Sequence, residues 1–118
     1  MMGEKLNPRQ RLLDEAREIT SKDRNQAYGA PEDNFQQIAD YWTLYMRNAK
    51  ILDQGCKGLR HVDVAYLMAL MKLARLNTNP THRDSLVDLA GYAACAADCQ
   101  EKLDVQATVD RLVDFTKT

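Results

Sequence analysis

A chain of 118 residues, 45% hydrophobic and 28% charged, is sized for one globular domain with a small core, which excludes both a two-domain enzyme and a disordered segment. Its formal net charge of -1 offers no basic field to a nucleic-acid polymer, and no apolar run approaches the ~20 residues that cross a bilayer. The N-terminal MMGEKLNPRQ has no apolar leader stretch, and Cys56, Cys95 and Cys99 fit neither a zinc knuckle nor a CxxC pair, so the expectation is a cytoplasmic protein with buried, reduced thiols.

A single all-α domain over 1–118 is expected, frayed over 1–6. Asn7 followed by Pro8 reads as a helix start, a capping oxygen and then a residue that needs no N–H partner; Leu12, Leu13, Ala16 and Ile19 recur at helical spacing, which predicts helix one over about 8–21. KDRNQAYGA breaks that pattern, with Gly29 at the turn and Pro31 opening the next helix, where Glu32 and Asp33 suit the positive end of the dipole. Phe35, Ile38, Ala39, Trp42, Tyr45 or Met46, and Ala49 make one apolar stripe, so helix two is expected over about 31–52. After the loop DQGCKGL, Val64, Leu67, Met68, Met71 and Ala74 predict helix three over about 61–77. Leu70 and Leu73 widen its stripe until most of the circumference is apolar, as in the central helix of a bundle.

Asn77 to Pro80 ends helix three, and Thr81 with Asp84 resembles a capping box that opens helix four over about 82–102. Its AGYAACAA run permits close approach of another helix, and Gly91 within it, at a cost of about 1 kcal/mol against Ala, implies a packing or ligand reason. Val105, Val109, Leu112 and Val113 predict a short last helix over about 104–116. With no β alternation, no Gly-rich phosphate loop and no internal repeat, the fold class is an all-α bundle of four to five helices.

Charge falls within or beside these apolar faces, at Asp63, Lys72, Arg75, Asp84 and Asp88. Asp84 and Asp88 are four apart on one helix and repel each other; a divalent cation would relieve that repulsion, and a salt bridge to Lys72 or Arg75 would serve equally well. Lys72 and Arg75, three apart, are candidates for a phosphate clamp or for a structural ion pair. Arg24 and Tyr28 precede Glu32, Asp33 and Asn34, a segment suited to reaching a phosphate and stacking on a base, or simply to capping a helix. His61 and His82 lack a second ligand at zinc spacing, and no Ser or Cys stands beside a His in a nucleophilic arrangement. Trp42, Tyr92, Met46, Met68 and Met71 read as core.

Three ordered segments within residues 12–100, RNQAYGAPEDNF, DVAYLMALMKLAR and HRDSLVDLAGYAAC, resemble a small domain family of tailed phages and prophages with the patterns YGxPxxNF, DVAxxMxxxKxAR and DSxxDxAGYA. That family is similar in pattern to the all-α NTP pyrophosphohydrolases, which include MazG, the dimeric dUTPases and phosphoribosyl-ATP pyrophosphohydrolase. The resemblance implies a MazG-like bundle that is oligomeric, uses Mg²⁺ or Mn²⁺ and splits a nucleoside triphosphate into monophosphate and pyrophosphate. It implies a metal held by Glu32, Asp33, Asp84 and Asp88, with Asp84, Asp88 and Lys72 in catalytic roles and Arg24, Tyr28, Asn34, Lys72 and Arg75 on the substrate. The match departs from the ExxE and ExxD pairs of those enzymes: Phe35 and Gln36 stand three residues beyond Glu32 and Asp33, and Ser85 stands where the second pair has Glu.

The leading expectation is therefore an Mg²⁺-dependent nucleotide pyrophosphohydrolase that forms a homodimer or homotetramer. The alternatives are a non-catalytic nucleotide-binding protein, which needs no metal cage, and a structural or regulatory helical oligomer that associates through the alanine-rich face of helix four.

Overall fold

The computed structural model describes residues 5–21 and 29–117. Among the described residues the α-helices are, in order, α1 (Pro8–Ile19), α2 (Pro31–Asn48), α3 (His61–Thr78) and α4 (Arg83–Lys117). No strand occurs among the described residues, so the protein is an all-α bundle.

The helix starts follow from local chemistry. Asn7 Oδ1 accepts the Gln10 N–H and Gln10 Oε1 accepts the Asn7 N–H, each at 2.9 Å, a reciprocal capping box ahead of Pro8. α2 opens on Pro31 with Glu32 and Asp33 in its first turn and no side-chain cap. At α3, Asp63 turns back to accept the Arg60 N–H at 2.8 Å and pairs with the Arg60 guanidinium at 3.0 Å. That pairing holds the Asp63 carboxyl below its ordinary range, so the acid that stood out in the sequence is a helix cap.

α4 departs from expectation at both ends. Its cap is His82, whose Nδ1 accepts the Ser85 N–H at 3.3 Å and lies 2.7 Å from Ser85 Oγ; the Thr81–Asp84 box does not form. His82 and Ser85 thus stand together after all, but Ser85 is 1% exposed and serves the helix start, not a nucleophilic centre. The predicted break near residue 103 is absent, because nothing between Lys102 and Val105 is Gly or Pro, and the two expected helices run as one of 35 residues.

The core joins Phe35 and Ala39 of α2, Val62, Val64 and Ala65 of α3, and Ala96 and Cys99 of α4. Burial of a valine such as Val62 or Val64 contributes on the order of 1.5–3 kcal/mol. α3 packs against both α2 and α4, whereas α1 lies chiefly across α4. Ala16 is the buried residue of α1, and Glu15, on the side read as solvated, pairs with Arg83 at 2.9 Å. Gly91 is the contact point: a Cβ there would stand 2.9 Å from Ile19 Cδ1, so glycine lets α1 close down on α4. A second close approach sits under α2, where buried Thr43, absent from the predicted stripe, accepts the Leu59 N–H at 2.8 Å and leaves no room for a Cβ at Gly58.

The outer side of α3 is open. Tyr66, Leu67, Leu70, Met71 and Leu73 are all exposed, so the helix read as apolar all round is covered on only part of its circumference within one chain. Ala93, Ala94 and Ala97 of α4 are exposed as well. Cys56 is exposed, against expectation, because it lies in the α2–α3 loop and not on a packed helix face.

Candidate functional site

Where α1 ends and α2, α3 and α4 meet, the bundle encloses a cavity of about 280 Å³. Its walls follow from the spacing of three helices. Phe35, Ile38 and Trp42 recur at three and four residues along α2, Val64 and Met68 at four along α3, and Asp88, Gly91, Tyr92 and Cys95 at the same spacing along α4. Ile19 and Thr20 close one side, and Gly29, Pro31 and Asn34 the rim. Gly29 has φ +83°, a left-handed turn that favours glycine, and it delivers the chain to Pro31 at that rim. The rings of Phe35 and Tyr92 lie 6.3 Å apart at 38°, a tilted aromatic pair with Trp42 on the same wall. Burial pushes the Cys95 thiol up, and Cys99 behind it is pushed up to about 11, so both remain neutral thiols.

Polar atoms are few. Thr20 Oγ1 donates to the Ala16 carbonyl at 2.9 Å. Asn34 lines the rim. Asp88 reaches the cavity from α4 and receives Lys72 Nζ on Oδ2 at 2.9 Å. The Lys72 side chain is 9% exposed and that of Asp88 38%, so the cation of the pair is buried and the carboxylate half-open.

The residues singled out in the sequence are only partly brought together. Asp88 and Asn34 line the cavity; Arg24 and Tyr28 lie outside the described residues. Lys72 and Arg75 do not form a clamp: Lys72 is buried against Asp88, while Arg75, nearly a full turn on, is exposed near the C-terminal end of α3 beside Thr78, Asn79 and His82. The metal cage of Glu32, Asp33, Asp84 and Asp88 is not assembled. Asp33 pairs with Lys102 at 3.2 Å, Asp88 with Lys72, and Asp84 is exposed in the first turn of α4, where the helix dipole accounts for it. Among the described residues no three His, Cys, Asp or Glu side chains are grouped so as to hold a metal ion, so these residues do not fit the expected Mg²⁺ site.

A different pair of acids is electrostatically close. The Asp98 carboxyl is pushed up, first by burial and then by the charge of Glu32 across the α2–α4 contact. His61, 5% exposed at the start of α3, is pushed down by burial first and by Lys102 next, and its Nδ1 is buried without a hydrogen-bond partner among the described residues.

Phe35, Trp42, Met68 and Tyr92 were legible as core, and that is what most of each side chain does. The signal that they also wall a cavity was Gly91, a small residue one position before Tyr92, facing the end of α1.

Comparison with known proteins places the chain. Residues 11–100, well over half its length, match the model of a domain of unknown function, DUF6378. The Gene 55 protein of Mycobacterium phage D29 is 38% identical over 91 residues, 77% of this chain and 54% of the phage protein. The Gene 55 protein of Mycobacterium phage L5 is 38% identical over 82 residues, 70% of this chain and 47% of that protein. The chain thus spans about half the length of the curated relatives it matches. No solved structure matches it. No helix among the described residues is long and apolar enough to cross a membrane. With an aromatic-walled cavity in a helical bundle and a matched span similar to phage proteins, the chain belongs to the DUF6378 family.

Proposed function

We propose that the protein binds a nucleotide, with the base in the cavity between α1, α2, α3 and α4 and the phosphates outside the rim. The observation that carries this reading is the wall itself: Phe35, Trp42 and Tyr92 line a largely apolar space, with Thr20, Asn34 and Asp88 among its polar lining residues. The volume of about 280 Å³ suits a single flat ring system, and a planar base gains about 1–3 kcal/mol from each aromatic side chain on which it stacks. The motif resemblance to nucleotide pyrophosphohydrolases supports the same ligand class.

A second reading, hydrolysis of the bound triphosphate with Mg²⁺ or Mn²⁺, rests on the motif resemblance alone, since the described residues assemble no metal cage. Titration calorimetry with nucleoside mono- and triphosphates tests binding; pyrophosphate release in the presence of Mg²⁺ tests turnover. Binding without release supports the binding protein alone, release supports both readings, and heats no larger than dilution contradict both.

Self-association belongs to the proposal. The exposed apolar side of α3, from Tyr66 to Leu73, supports a homodimer or a dimer of dimers.

A further inference from the structure

Past the bundle, α4 carries an apolar stripe that its own chain does not cover. Val105, Val109, Leu112 and Thr116 follow one another at spacings of four, three and four, so they share one side of the helix, and Val113 widens it. All five are exposed, Val105 at 59% and Leu112 at 61%. The polar side is already bonded within the helix: Gln106 Nε2 donates to Asp110 at 2.9 Å, and Arg111 donates to Thr108 Oγ1 at 3.3 Å. A segment this short, with three valines, gains little helix stability from propensity, and packing of its apolar side supplies the rest.

The stripe itself shows what covers it. A 4-3-4 spacing reads the same in both directions. A second copy laid antiparallel therefore sets Val105 opposite Thr116 and Val109 opposite Leu112, and each pairing occurs twice about a two-fold axis. That is the self-complementarity an isologous contact requires. Charge chooses the direction. Antiparallel alignment brings Asp110 level with Arg111 of the second copy, whereas parallel alignment brings every charge level with itself. A lipid surface fits less well: residues 104–116 carry Asp104, Asp110 and Asp114 against Arg111, and helices that lie on anionic lipid are rich in Lys and Arg on their polar side.

The exposed area is large enough for such a contact. The chain exposes 9245 Å², against about 6,500 Å² for a compact monomer of 13.4 kDa, and the excess is several times the roughly 800 Å² that each partner contributes to an interface of standard size.

We infer that the end of α4 is a self-association element, in which two copies of this chain pair their 105–116 segments antiparallel, Val109 against Leu112. The stripe lies beyond residues 11–100, which match the family model. It is also separate from the outer side of α3, so the chain has two faces for its own copies, as a dimer of dimers needs. This deepens the self-association reading above and does not depend on the nucleotide.

Sedimentation equilibrium of the full chain at micromolar concentration compares the wild type with Val109→Glu, Leu112→Glu, changes that lie outside the bundle core. The variant is expected at half the mass of the wild type, with the melting of the bundle retained. An unchanged mass overturns the tail contact and leaves the α3 face as the site of self-association; a wild type found only at 13.4 kDa overturns both. Disulfide trapping reads direction and register without glutamate in the helix, in a Cys56→Ser background that removes the exposed thiol. Val109→Cys chains mixed with Leu112→Cys chains should cross-link to each other about tenfold or more faster than either does with itself, since the bond forms only at short Cβ separations. Val109→Cys chains that cross-link among themselves as fast overturn the antiparallel pairing, and no cross-link in any mixture overturns the contact.

Discussion

Lys72 and Asp88 hold each other across the α3–α4 contact at 2.9 Å, one side chain buried and the other half open. Removal of the ammonium leaves a carboxylate at the cavity wall without its partner, so Lys72→Met should destabilise the fold by about 1.5–3 kcal/mol, the range of a hydrogen bond to a charged group. Lys72→Met with Asp88→Leu removes both charges and should recover most of that loss, as urea melts of the two variants would show. Arg75, exposed beside the C-terminal end of α3, has only the dipole to satisfy and should cost well under 1 kcal/mol when changed to Ala. His61 brings a pH dependence of a definite sign. Burial and Lys102 lower its folded pKa below the ordinary value near 6.5, so the folded protein keeps the imidazole neutral while the unfolded chain protonates it. Its contribution is complete above about pH 6.5 and is lost as pH falls toward the lowered folded value. The melting temperature should fall across that window, and His61→Gln should flatten the fall; an unchanged slope would remove His61 from the account.

At the scale of the helix, local rules carried far and then failed for identifiable reasons. Asn7–Pro8 and Pro31 opened α1 and α2 as read, because caps and proline act on their immediate neighbours. The end of α4 was misread because a change of apolar pattern after Lys102 was taken as a break; a helix continues unless something stops it, and α4 continues to Lys117. Paired charges at helical spacing were the least legible feature. Asp84 and Asp88 share a helix and are four apart, but the first is exposed and the second lies half-buried against Lys72, and only the packing partner distinguishes them. The aromatic wall was visible as an apolar stripe, whereas its cavity depends on where α1 crosses α4 at Gly91, a long-range fact. α3 yields the prediction for this scale. Leu70, 60% exposed, and Leu73, 48% exposed, make few contacts in the chain, so Leu70→Glu with Leu73→Glu should change its own stability by less than about 0.5 kcal/mol per site. The same pair of changes should lower the mass of the self-associated species in sedimentation equilibrium. A wild-type protein that sediments only at 13.4 kDa at micromolar concentration would contradict this use of the face.

The molecule as a whole is extended for its length. Its radius of gyration is 18.1 Å, against about 13.5 Å for a compact domain of this size, and its longest dimension is 65 Å. α4 accounts for the difference: a helix of 35 residues is about 52 Å long and runs past the bundle, exposing Val105, Val109 and Leu112 beyond the core. The bundle half of the chain is thus a compact holder for one cavity, and the rest extends α4 away from it. That division concentrates the functional claim on the cavity, and the chain carries its own reporter there, since its single tryptophan, Trp42, is part of the wall. The most direct test is the intrinsic fluorescence of Trp42 in the full chain, titrated with nucleoside monophosphates. The account predicts a saturable change in intensity that is weakened tenfold or more in affinity by Tyr92→Ala, with the fold retained by circular dichroism. A Trp42 signal that responds to no nucleoside monophosphate up to millimolar concentration would contradict it.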